Sequence, residues 1–355
     1  MGGVQAVHRE AAGGRGEGRL IHHPDVSHPW RQWSEEQRLH VVVAYNNPFR
    51  WQTRRKMMND FRRHMASQAN VVLHVVELAY GDRPFEVTGN HADDIQFRTN
   101  AELWHKENLL NLGIARLPHD WKYAAYIDAD LHFTRHDWAL ETIHQLQHYD
   151  WLQLFSSYSA LSSEHRPHKL SPSFAYGFEK QRRGWKPPKH VSGSKYGSGW
   201  LGATGGAWAF TREALNATGG LLDVAILGSG DWHMSYGLAG EADPSLKQYR
   251  QDCPHYVRVI EQWQSHAAKL RQNFGYLENH AVHFWHGDYS KRFYGERPQI
   301  LIRNGYDPLT DITRDWHGVL KLNGNKPALR QDIRMYFQSR VEDDPNLANP
   351  NGHLV

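Results

Sequence analysis

Tyr123-Ala124-Ala125-Tyr126-Ile127-Asp128-Ala129-Asp130 decides how this chain is read. Residues Tyr123 to Ile127 are small, apolar or aromatic without interruption, and they stop on two carboxylates separated by one alanine. A short unbroken apolar run ended by polar residues is the pattern of a strand buried on both faces, as in parallel sheets. In open α/β sheets ligands gather beyond the carboxyl ends of the strands. Residues i and i+2 of a strand point to one side. Asp128 and Asp130 are therefore placed to hold a divalent cation, Mg²⁺ or Mn²⁺, through hard oxygen ligands. A plainer alternative stays open, in which two loop carboxylates cap the helix that follows.

Working outward, the same alternation recurs on both sides. Leu39 to Tyr45 predicts a strand stopped by Asn46-Asn47-Pro48, a strong turn signal. A basic helix follows over 53–66, a strand over 71–78 and a helix over 102–112. Beyond Asp130 the pattern predicts a helix over 138–148, a strand over 151–155, regular structure again over 202–210 and a helix over 212–218. A longer helix is expected over 245–272 and a strand over 278–285. This order predicts a Rossmann-like α/β fold with a mixed, mostly parallel sheet and helices on both faces. Residues 1–36 are rich in Gly, Arg and His without periodicity and are read as a disordered tail. A single domain is expected over 37–335, with its two halves, 37–135 and 136–335, divided at 135. Residues 336–355 are read as a flexible tail.

The bulk numbers agree with one large α/β domain. The chain has 355 residues, 40% of them hydrophobic, and a formal charge of only +3, which by itself does not imply nucleic acid. No apolar run is long enough for a transmembrane helix, and no apolar stretch behind basic residues marks a secretory signal. The single cysteine, Cys253, excludes an internal disulfide and a thiolate zinc cluster, and it suits a cytoplasmic setting. Fourteen tryptophans and 16 tyrosines suit both packing and stacking on sugar rings or bases.

Three further stretches carry chemistry. Gly205-Gly206-Ala207-Trp208 allows close backbone approach to a ligand, or equally tight packing of strand on helix. Leu227-Gly228-Ser229-Gly230-Asp231-Trp232-His233 offers an acid suited to take a proton from a hydroxyl, or a helix N-cap. His283-Phe284-Trp285-His286 with Arg292 offers imidazoles to complete a metal site and a cation to hold a diphosphate, or a solvated basic loop.

Taken in this order, with Leu103-Trp104-His105-Lys106-Glu107-Asn108 ahead of them, these stretches resemble the GT-A class of nucleotide-sugar glycosyltransferases, in particular family-2-like members of bacteria or phage. The resemblance covers roughly residues 39 to 310 and implies a donor-binding half over 37–135 and an acceptor-binding half over 136–335. It implies that a nucleoside-diphosphate-sugar donor is bound by Tyr45, Asn46, Arg50, Lys106, Asn108, Asp128, Gly205, Gly206 and Arg292. It implies a divalent metal on Asp128 and Asp130 with His283 or His286, and Asp231 as the base of an inverting transfer. The resemblance departs at one point: Gly230 precedes Asp231, where the class usually carries an acidic pair. A non-catalytic nucleotide-sugar-binding protein on the same fold is the competing reading.

The acceptor is sought in residues 162–199. Arg166, Lys169, Lys180, Arg182, Arg183, Lys186, Lys189 and Lys195 stand there against only Glu164 and Glu179, with aromatics interleaved. Such a loop can neutralise phosphates and stack on bases, which suggests DNA bearing a hydroxymethylated base, as in phage DNA modification. A mobile lid is the alternative, and glycan, lipid and protein acceptors stay open. Trp208, Trp232, His233, Arg182, Arg183 and Trp185 are the candidate acceptor-binding residues.

Overall fold

A computed structural model describes residues 38–184 and 202–343. Strand β1 (Leu39–Asn46) leads through helix α1 (Gln52–Ala66) to β2 (Val71–Tyr80), β3 (Ile95–Thr99), α2 (Lys106–Ile114) and β4 (Tyr123–Ile127). After β5 (Leu131–Phe133) come α3 (Trp138–Gln145), β6 (Trp151–Gln153), β7 (Ser157–Leu161), β8 (Pro167–Pro172) and α4 (Phe174–Arg182). The remainder holds β9 (Ala207–Thr211), α5 (Arg212–Thr218), α6 (Gly230–Ala239), α7 (Pro254–Ala267), β10 (Phe274–Tyr276) and β11 (His280–His283). It closes with α8 (Glu296–Arg303), the hairpin β12 (Ile312–Arg314) and β13 (Leu320–Leu322), and α9 (Pro327–Gln338).

The central sheet runs β3-β2-β1-β4-β9-β6-β10. β1 pairs parallel with β2 (Leu39 opposite Val71) and with β4 (Leu39 opposite Tyr123), while β9 is antiparallel to both β4 and β6. Val41, Val42 and Val43 on β1 are each at most 1% exposed. Successive strand residues face opposite ways, so both faces of the sheet are covered. Each valine buried in this way contributes about 1.5–3 kcal/mol, which is why the apolar runs are continuous rather than alternating. This is the mixed, mostly parallel α/β architecture that the sequence predicts.

A second sheet, β5-β11-β7-β8, stands at the carboxyl end of β4. β5 pairs antiparallel with β11, setting His283 opposite Leu131. The chain thus leaves one sheet at Ile127 and enters the other at Leu131, and the two aspartates lie in the turn between them.

Several expected boundaries shift for identifiable reasons. The helix expected over 245–272 is divided into a 3₁₀ turn at Pro244–Gln248, α7, and a second 3₁₀ turn at Ala268–Leu270. Pro254 opens α7, and a proline ring there would clash with the carbonyl four residues back in any continuous helix. The segment 162–199 contains β8 and α4 in its described part, and the Ser173 hydroxyl caps α4 by accepting from Tyr176 N at 3.2 Å. The tail expected from 336 starts inside α9, and Glu342 beyond it is 1% exposed. The expected N-terminal tail lies outside the described residues. No helix among the described residues is long and apolar enough to cross a membrane.

Candidate functional site

The site begins where β4 ends. Asp128 N donates to the Gly206 carbonyl at 2.7 Å, and Leu131 N donates back to the Asp128 carbonyl at 3.0 Å. The first bond ties the two aspartates to the start of β9, and the second closes the turn that presents them. Gly206 adopts φ +98°, and a Cβ on it would lie 2.8 Å from Leu131 Cδ1. A Cβ on Gly205 would run into the Asp231 carboxylate. The glycine pair therefore does both things open to it in the sequence: it packs tightly, and it lets Asp231, in the first turn of α6, reach the backbone beside Asp128.

The two aspartates take different partners. Asp128 Oδ1 lies 2.5 Å from Lys106 Nζ, whose chain also passes over the Tyr126 ring with Nζ 5.3 Å from its centre. Burial pushes the Asp128 carboxyl up to about 6, against the pull of Lys106 in the other direction. Asp130 turns to the second sheet. Its Oδ2 lies 2.8 Å from His286 Nε2 and 3.5 Å from His283 Nε2, and Phe284 N donates to its backbone carbonyl at 2.8 Å. Burial opposes the charge on Asp130, but His283, His286 and Arg292 outweigh it and hold the carboxyl well below the carboxylate range. Burial pushes both imidazoles down, His283 to about 3. At neutral pH the group is one carboxylate with two neutral imidazoles.

That protonation state is the one a metal requires of its ligands. One ligand atom from each of Asp130, His283 and His286 falls within 4.8 Å of the others. Asp130 Oδ1 is buried with no hydrogen-bond partner. An orphaned carboxylate oxygen costs free energy unless something fills its lone pairs, and a cation bound by one carboxylate and two imidazoles does so. The residues fit a divalent metal. Arg292 Nη2 lies 2.8 Å from His286 Nε2. A bare Nε2, with the ring proton on Nδ1, accepts from Arg292, whereas a protonated Nε2 donates instead to Asp130 Oδ2 at 2.8 Å.

The pocket over these residues is lined by Tyr45, Asn46, Lys106, Asp128, Asp130 and His286, and also by Arg54, Trp104 and Arg340. Tyr45 is anchored by donating to Glu86 at 2.6 Å. Arg54 reaches from α1 to donate to the Asn46 carbonyl at 2.7 Å and to Glu342 at 2.5 and 2.8 Å, and Arg340 Nε lies 2.6 Å from the same carboxylate. Burial would raise Glu342, but Arg54 and Arg340 outweigh it and hold it at about 2. The sequence reading missed Arg54, Trp104, Arg340 and Glu342. No local signal connects Arg54 with Glu342, which meet only because the end of the described chain returns to α1.

Other expected site residues are elsewhere. Arg50 is exposed in the turn after β1 with φ +59°, and Arg54 occupies the pocket instead. Asn108 is fully buried and uses its amide on Asp223, Gly318 and Leu320, so it joins α2 to the hairpin rather than to a donor. Trp208 is 2% exposed, donates to the Thr204 carbonyl at 2.8 Å and packs against Trp151 and Phe274. β9 alternates, and Trp208 falls on its core side. His233 is 1% exposed and pairs with Asp243 at 2.6 Å, while Trp232 donates to the same carboxylate at 3.0 Å. Arg182, at the end of α4, lies over Phe178, and Arg183, the residue that caps that helix, pairs with Glu179. Trp185 lies outside the described residues.

No protein-family model matches this chain, and no curated protein sequence does. Among solved structures, the chain is similar to the catalytic domain of Drosophila beta1,4galactosyltransferase 7 in complex with xylobiose, at 13% identity and a TM-score of 0.30. The likeness covers 58% of this chain and spans 63% of that one.

Proposed function

We propose that this chain is a metal-dependent glycosyltransferase that moves a sugar from a nucleoside-diphosphate-sugar to an acceptor hydroxyl. One observation carries the reading. A pocket at the carboxyl end of the central sheet is lined by Lys106, Asp128, Asp130 and His286, with His283 grouped behind Asp130 and His286; the Lys106 half suits a diphosphate and the Asp130–His283–His286 half a cation. In this reading Asp130, His283 and His286 hold the metal, with Asp128 beside them. A divalent cation held there supplies Lewis-acid stabilisation of charge on phosphate oxygens.

The chain's own residues account for the rest. Lys106 and Arg292 offer charge to the leaving diphosphate, and Tyr45 and Asn46 line the wall suited to the base and ribose. Asp231, set beside Gly205, takes the proton of the acceptor hydroxyl as the oxygen bonds to the anomeric carbon. The carbon–phosphate-oxygen bond breaks with its electron pair passing to the diphosphate. Attack from the face opposite the leaving group inverts the anomeric centre. The basic residues of 162–199 support a polyanionic acceptor, of which DNA with a hydroxymethylated base is the specific candidate. The single cysteine favours a cytoplasmic location.

The test is a panel of nucleoside-diphosphate hexoses with Mn²⁺ or Mg²⁺, scored for hydrolysis, for transfer and for thermal stabilisation. Metal-dependent turnover of one donor is expected. Stabilisation without turnover would mark a binding protein, and activity undiminished in EDTA would remove the metal from the mechanism. Salt-sensitive binding to duplex DNA is the result expected for the DNA acceptor.

A further inference from the structure

Glu107 sits in the first turn of α2, next to Lys106, and is 4% exposed. Neither donor binding nor metal binding accounts for a carboxyl at this depth, and burying one is costly unless it is paired or neutral. Its position is informative. A Cβ built on Gly230 would lie 3.0 Å from the Leu222 carbonyl oxygen on one side, and 3.2 Å from Glu107 Cδ and 3.3 Å from its Cγ on the other. Gly230 has no positive φ, so its backbone does not call for glycine. The missing side chain leaves room for Glu107. The residue after Gly230 is Asp231, and a carboxyl from a distant helix thus stands where the chain itself has no acid.

We propose that Glu107 is a positioning residue for Asp231, its carboxyl set from α2 against the Gly230 backbone so as to orient the Asp231 carboxylate toward the acceptor hydroxyl. The inference rests on the glycosyl-transfer reading above. The charged and titratable groups around Glu107 are Lys106 on its own helix, Asp231 on α6, and Asp128 and Tyr126 from the end of β4. Burial first, and then the two aspartates, push the Glu107 carboxyl up to about 8, against Lys106. At pH 7 it is a neutral acid and therefore a hydrogen-bond donor, a state that an apolar setting can impose on a carboxyl. The proton count is simple. Glu107 keeps its proton throughout, and Asp231 gains the one released by the acceptor.

The test compares Glu107→Ala and Glu107→Gln with the unaltered chain, using a nucleoside-diphosphate hexose that it turns over with Mn²⁺. Glu107→Ala is expected to lower kcat by about 10-fold or more with the donor KM within about 2-fold. Glu107→Gln keeps a neutral donor and is expected to stay within about 3-fold at pH 7. The unaltered chain should lose kcat as pH rises through about 8, where Glu107 ionises, and Glu107→Gln should not. Should Glu107→Ala fail to fold, the Glu107→Gln profile decides alone. An alkaline limb retained in Glu107→Gln, or an unchanged kcat in a folded Glu107→Ala, overturns the positioning role and leaves glycosyl transfer standing. A chain that turns over no donor in the panel overturns both.

Discussion

Phe284 N donates to the carbonyl oxygen of Asp130 at 2.8 Å, joining the end of β11 to the turn after β4. That bond continues the β5–β11 pairing by one step, and it holds β11 so that His283 and His286 lie 3.5 and 2.8 Å from Asp130 Oδ2. The grouping of Asp130 with the two imidazoles therefore depends on the pairing of β11 with β5 in the second sheet, and not on either motif alone.

Asp130→Asn should weaken Mn²⁺ binding by about 100-fold or more, since it removes the only anionic member of the three-residue group. His286→Ala should do the same. Isothermal calorimetry on the folded variants checks this, and unchanged affinity in either would rule that residue out as a ligand. Binding should also weaken with acid, because protons compete for the two imidazoles, although both lie below their ordinary value.

Asp231→Asn should lower turnover by about 10² or more if Asp231 is the base. Donor affinity should change far less, because the direct ion pair of Lys106 is with Asp128, at 2.5 Å. Equal losses in kcat and in donor binding would place Asp231 in the donor site instead.

Glu342→Ala should destabilise the fold by about 3 kcal/mol, because it leaves Arg54 and Arg340 buried together without their counter-ion. The pH dependence follows from the sign of the shift. Glu342 is held at about 2, below its ordinary 4.5. Its contribution is complete above 4.5 and is lost as pH falls toward 2. Chemical denaturation from pH 7 down to 3 should show a smaller acid-dependent loss in the variant than in the unaltered chain. Truncation at 335, the expected end of the domain, should be at least as damaging.

Trp208→Phe should retain turnover within about 3-fold, because the ring packs in the core and contacts Trp151 and Phe274 rather than the pocket. Trp208→Ala should cost about 3–5 kcal/mol of stability. A large loss of acceptor affinity in a stable Trp208→Phe would return Trp208 to the acceptor site.

The α/β class, the buried strand before Asp128 and the pair of carboxylates at its end were legible from residue order, because each rests on local periodicity and on side chains near one another in the chain. Asp231 at a helix start and the close-approach glycines were legible for the same reason. The partners were not. Whether Asp130 meets imidazoles, whether Glu107 fills the space at Gly230, and whether Arg54 finds Glu342 depend on how sheets and termini pack. Side-chain type predicts what a group can bind, but not which groups stand beside it. Trp208 and His233 show the converse: aromatic and polar side chains beside site residues in sequence alternate away from the site in space, because strand and helix periodicity turn them into the core.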